Sequence, residues 1–84
     1  MSTIYQTAAG LITADEARVL AGIDRAYAYQ PPAELIAAAT ALYERGLVEP
    51  CPGFPAVTQM TSAGWGAWQQ VEAARYAAAE QREA

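Results

Sequence analysis

Residues 34–61 read ELIAAATALYERGLVEPCPGFPAVTQMT, and this stretch decides the fold class. Its first half places Leu35, Ile36, Ala39, Leu42 and Tyr43 at helical spacing, which predicts a helix over residues 32–45 with those side chains as its apolar stripe. Gly46 stands where a helix commonly ends on a left-handed residue, and Leu47 is placed to pack back onto the last turn. Two short β-favouring runs follow, 47–49 and 56–61, separated by Pro50, Pro52, Gly53 and Pro55. A β-hairpin with a proline-stiffened tip is expected there.

Working outward, Thr13 precedes Glu16 by three residues, the capping-box spacing that starts a helix. Val19, Leu20, Ile23 and Tyr27 then form its core stripe, while Asp15, Arg18, Gly22, Arg25 and Tyr29 fall on the opposite face. Pro31-Pro32 stops this first helix and opens the second. Upstream, residues 1–12 hold a β-favouring stretch at 3–6 and a small-residue link through Gly10, read as an N-terminal arm or an edge strand. Downstream, Thr61 offers an N-cap for a third helix carrying Trp65, Trp68, Val71 and Tyr76. Its alanine-rich end, residues 77–84, is expected to fray. The chain thus reads as a single domain over 1–84 with its core in 13–76. The class is α+β, mainly helical, in the order helix, helix, β-hairpin, helix.

An 84-residue chain has room for one core. Although 54% of residues are hydrophobic, many are alanines, so few large side chains remain and oligomerisation or partner binding would help the core. The five basic residues are Arg18, Arg25, Arg45, Arg75 and Arg82, against nine carboxylates and a net charge of −4, with no lysine or histidine. A nucleic-acid binder clusters such cations to neutralise phosphates; here they are dispersed in sequence, each near a carboxylate. Arginine without lysine and the alanine excess suggest a GC-rich bacterial or phage genome. Cys51 is the lone cysteine, so an intramolecular disulfide is excluded. With no long apolar run and no signal-like N-terminus, a cytoplasmic protein of a bacterial cell, without membrane association, is expected.

The phrases ELIAAATALYERGLVEP and TQMTSAGWGAW, with the proline-glycine tip between them, resemble the winged-helix domains of bacterial and phage regulators. Leu42, Gly46, Leu47 and Val48 match the end of the helix before the wing, and Met60, Thr61 and Gly64 match the exit from it, with methionine replacing the usual leucine. The resemblance covers roughly residues 13–68. Winged-helix regulators usually carry two helices between helix 1 and the wing, and residues 30–46 hold one, so the domain reads as abbreviated. On the exposed side of that helix Glu34, Ala37, Ala38, Ala41, Glu44 and Arg45 offer few donors to base edges or phosphates. Size, acidity and composition also resemble the inhibitors that mobile elements deploy against host nucleoprotein complexes, including anti-CRISPR proteins.

The chemical inventory is poor for catalysis: no histidine, no lysine and no glycine-rich phosphate loop. No enzyme, cofactor or metal is expected. Cys51 between two prolines reads as a bystander at the hairpin tip rather than a reactive thiol. Asp15 and Glu16 read as first-turn residues favouring the helix dipole rather than an acid/base pair. Partner-binding candidates are Arg18, Arg25 and Tyr29 on the exposed face of helix 1, Phe54 at the hairpin tip, and Trp68, since tryptophan anchors interfaces. Trp65 is expected in the core, with Trp68 and the alanines beyond it extending outward to a partner or a second copy. The expected function is a non-enzymatic, acidic protein-interaction module, with an inhibitor of a host nucleoprotein complex as its specific form. The alternative is a dimeric winged-helix transcription regulator, paired through helix 3, that reads DNA through the wing and Arg18, Arg25 or Arg45.

Overall fold

The computed structural model describes the backbone of residues 4–83 and the side chains of residues 4–78. Three helices and two separate antiparallel hairpins follow one another as β1 (Ile4–Thr7), β2 (Gly10–Thr13), α1 (Ala14–Ala26), a 3-10 turn (Ala33–Leu35) running into α2 (Ile36–Glu44), β3 (Val48–Cys51), β4 (Phe54–Met60) and α3 (Ser62–Glu83). The α+β class is as the sequence implies.

Residues 4–13 form a hairpin, not a lone arm or edge strand; Thr3, at the start of the expected β stretch, lies outside the described residues. Tyr5 pairs with Ile12 across it, and Ile12 is fully buried in the core. Gly10, at φ +106°, allows the turn, and the Thr7 hydroxyl braces it by donating to the Gly10 carbonyl at 2.8 Å. Thr13 then caps α1. Its hydroxyl accepts from the Glu16 amide at 3.2 Å, while Glu16 Oε1 accepts from the Thr13 amide at 2.8 Å, the reciprocal pair of a capping box. Val19, Leu20 and Ile23 are fully buried. Tyr27 does not continue their stripe: it is the left-handed C-cap, at φ +63°, and its side chain is 77% exposed. The helix ends one residue too early to carry that ring inward.

The 3-10 turn before α2 changes the phase of the second stripe. Leu35 and Leu42 are buried, Ala38 and Ala39 partly so, and Ile36 and Tyr43 face outward, contrary to the sequence reading of both as core. Gly46, at φ +75°, closes α2 by donating to the Tyr43 carbonyl, while the Leu47 amide reaches back to Leu42, both at 3.0 Å. These two bonds satisfy carbonyls that the helix leaves unpaired, and Leu47 is buried as anticipated.

β3 and β4 pair through Val48↔Met60, Glu49↔Gln59 and Pro50↔Thr58, with a bulge before the tip at Cys51↔Phe54. The free edge of β4 is joined by Tyr29, whose amide donates to the Thr58 carbonyl at 2.9 Å and whose carbonyl accepts from the Thr58 amide at 2.8 Å. The segment between α1 and α2 is thereby fixed against the second hairpin.

Thr61 joins hairpin to helix. Its hydroxyl accepts from the Gly64 amide at 3.1 Å as an N-cap and donates to the Gly46 carbonyl at 2.7 Å, and its amide donates to the Leu47 carbonyl at 3.1 Å. α3 buries Gly64, Ala67, Trp68 and Val71, which recur as i, i+3, i+4 and i+7. Trp68 is 4% exposed, whereas Trp65 is only partly buried against the core. The roles expected for the two tryptophans are therefore reversed. Beyond Val71 the described side chains are exposed, apart from a partly buried Glu72. The expected fraying falls on 77–84, where side chains after 78 lie outside the described residues.

Candidate functional site

Two recesses adjoin on the surface, on either side of the segment from Tyr29 to Pro32. The first is an open groove of about 430 Å³ between α2 and the second hairpin. Ile36 and Tyr43 from α2 face Pro50 and Pro55 across it, with Pro31 at one end and Thr58 beneath. Ile36 and Tyr43 lie outward because Leu35 and Leu42 take the inward positions. The side chains lining this groove include no charged group.

The second recess, about 310 Å³, lies between α1, the Tyr29–Leu35 segment and α3. Arg18 and Arg25 enter it from α1, Arg75 from α3, and Tyr29, Pro32 and Leu35 form much of its wall. The Tyr29 ring lies so close over Gly22 that a Cβ there would come within 2.7 Å of it. Arg18 approaches Asp15 at 3.6 Å and Glu34 at 3.9 Å in exposed ion pairs. Such long, solvated pairs hold a guanidinium loosely. Among the described residues, neither Arg25 nor Arg75 forms an ion pair with a carboxylate. Arg75 sits over the Trp68 ring, 5.7 Å from its centroid, a cation–π contact that orients the guanidinium.

The structure brings Arg18, Arg25 and Tyr29 to one recess, but Tyr29 lies beyond the end of α1 rather than on its exposed face and is partly buried. It adds Arg75, whose approach depends on how α1 and α3 pack and leaves no local pattern in the chain. Phe54 is 69% exposed at the hairpin tip and lines neither recess. Trp68 is no surface anchor; it lies beneath Arg75, and its buried indole N–H has no hydrogen-bond partner among the described residues.

Arg45, one of the cations offered for DNA reading, is committed elsewhere. Its Nη1 donates to the Leu11 carbonyl at 2.9 Å and to Glu16 Oε2 at 3.3 Å, and its Nη2 to the Ala9 carbonyl at 2.8 Å. It ties the first hairpin to the end of α2. Glu16, 5% exposed, belongs to that tie, so it does not form an acid/base pair with Asp15. The Cys51 thiol lies 3.6 Å from Gln59 Oε1, a weak contact at the hairpin tip. Among the described residues no His/Cys/Asp/Glu cluster could hold a metal ion, and no helix is long and apolar enough to cross a membrane.

No protein family, no curated protein and no solved structure matches this chain.

Proposed function

We propose that the protein is a non-enzymatic interaction module with an abbreviated winged-helix arrangement, whose uncharged groove between α2 and the β3–β4 hairpin receives an apolar segment of a protein partner. One observation carries this reading. Where a winged-helix regulator would set a DNA-facing helix beside its wing, this chain exposes Ile36 and Tyr43, at 55% and 57%, among prolines and with no cation. A concave apolar surface with a few polar groups suits protein side chains, and phosphates need cations that the groove lacks. The hairpin after α2, the Tyr29 bridge on β4 and the Thr61–Gly64 entry into α3 support the winged-helix likeness. An inhibitor of a host nucleoprotein complex is the specific role that size and acidity favour, and the part of α3 beyond Val71, exposed at residues 73–78, is the surface we assign to a second copy.

The reading is tested with a displayed random-peptide library and a random DNA duplex at low salt. Peptides rich in apolar residues should be enriched, their binding lost in Ile36→Asp and Tyr43→Asp but kept in the control Gln69→Asp, on an exposed part of α3. The duplex should not bind. Salt-dependent duplex binding, or peptide binding indifferent to both groove substitutions, overturns the proposal.

A further inference from the structure

Three of the chain's five cationic side chains, from positions 18, 25 and 75, converge on one recess in a protein of net charge −4. Like charges gathered against the average of the surface repel one another and require a reason. All three residues are exposed, so core packing does not require them to line the same recess. Their pairing is uneven. Arg18 is shared between Asp15 and Glu34, whereas Arg25 and Arg75 pair with no carboxylate among the described residues. Arg75 is moreover held over Trp68, with a donor fork presented at the recess.

We infer that this recess is an anion site for a phosphate group, taken up as inorganic phosphate or as the phosphate monoester of a small organic molecule, with Arg25 and Arg75 as its principal donors and Arg18 closing the mouth. A planar guanidinium binds two oxygens of a phosphate in parallel. A dianion matches the charge of two cations that have no carboxylate partner among the described residues, and a single carboxylate would balance only one of them. The volume, about 310 Å³, exceeds that of a bare phosphate, and the surplus is walled by Tyr29, Pro32 and Leu35, surfaces suited to the organic part of a monoester. Tyr29 is fixed for this task by its ring packing on Gly22 and by its backbone bridge to Thr58. This site is separate from the groove, and either can fail without the other.

The test follows the arginine side-chain N–H signals of the full chain by NMR during titration with inorganic phosphate, a nucleoside 5′-monophosphate, sodium chloride and a DNA duplex. Saturable shifts at Arg25 and Arg75 with the phosphate probes, absent with chloride at equal ionic strength, are expected. Affinity should weaken as pH falls below about 6, where the monoester dianion takes up a proton and loses one of its two charges. Tighter binding of the monoester than of phosphate identifies the organic source; equal binding identifies the free ion. The variant Arg25→Gln/Arg75→Gln, altered only at exposed positions, should keep its melting temperature and lose at least about tenfold in affinity. Shifts that never saturate, shifts reproduced by chloride, affinity unchanged in the double variant, or duplex binding abolished by that variant each overturn the assignment.

Discussion

Gly64→Ala adds one methyl group at a point where α3 has no room for it. Gly64 lies in the first turn of α3, against the residue that opens the second hairpin. A Cβ built there would overlap the Leu47 carbonyl oxygen and stand 3.0 Å from its carbon and 3.2 Å from Met60 Cγ. The first two are backbone atoms and cannot rotate away. The same carbonyl accepts the Thr61 amide at 3.1 Å, so moving it disturbs a bond worth about 1 kcal/mol. It also shifts Leu47, 1% exposed, where overpacking costs about 1–3 kcal/mol. Against this, alanine gains up to about 1 kcal/mol of helix propensity over glycine. The net loss is about 1–3 kcal/mol, or a melting temperature lower by roughly 5–20 °C for a domain of this length. Gly66, two residues on, supplies the control, since a Cβ there meets no atom within 4 Å. Gly66→Ala should stabilise by about 0.5–1 kcal/mol. Thermal and urea unfolding followed by circular dichroism measure both. Equal melting temperatures for Gly64→Ala and the parent chain would refute the close approach of α3 to Leu47.

Gly46→Val should destabilise by about 1 kcal/mol or more, because φ is +75° and β-branched residues are strained there; Gly46→Asn should recover most of the loss in the same melts. Arg45→Ala removes three donor contacts and leaves Glu16 Oε2 without its cation, so a loss of about 2–4 kcal/mol is expected from the urea midpoint, and a loss below about 0.5 kcal/mol would show that the first hairpin docks without this tie. Truncation after Val71 should leave the fold in place, since the last residue seen buried is Val71, and should weaken self-association in sedimentation; a full-length chain that stays monomeric at every concentration removes the dimer from the proposal.

The parts of this fold legible in the sequence are those set within a few residues. Thr13 with Glu16, Gly46 with Leu47, and Thr61 each satisfy backbone groups at a helix end, and these demands are local. Helix facing was harder to read. In α2 the alanines at 37, 38, 39 and 41 give the apolar pattern little amplitude, and the 3-10 turn at Ala33–Leu35 decides whether Leu35 and Leu42 or Ile36 and Tyr43 point inward. In α3 the inward stripe includes Gly64 and Ala67, which hydrophobicity barely marks, so the pattern does not show that Trp68, rather than Trp65, is the buried one. The second strand of the first hairpin was missed because its residues, Gly10–Thr13, also read as the lead-in to a capped helix.

The acidic balance of the chain and an arginine-lined recess are compatible once range is considered. At physiological ionic strength a charge is screened over about 8 Å, so a ligand in the recess responds to Arg25 and Arg75 and hardly at all to carboxylates across the molecule. An elongated polyanion meets a different surface. It must continue past Asp15, 62% exposed, and Glu34, 69% exposed, at the Arg18 end, or cross the Tyr29–Pro32 segment into a groove without a cation. Both routes desolvate phosphates without replacing their counterions. Net charge therefore argues against a nucleic-acid track on this protein and leaves a compact phosphate untouched. For the same reason Arg25→Gln/Arg75→Gln should weaken phosphate binding without altering peptide capture by the groove. The two sites share the Tyr29–Pro32 segment, but each draws on its own chemistry.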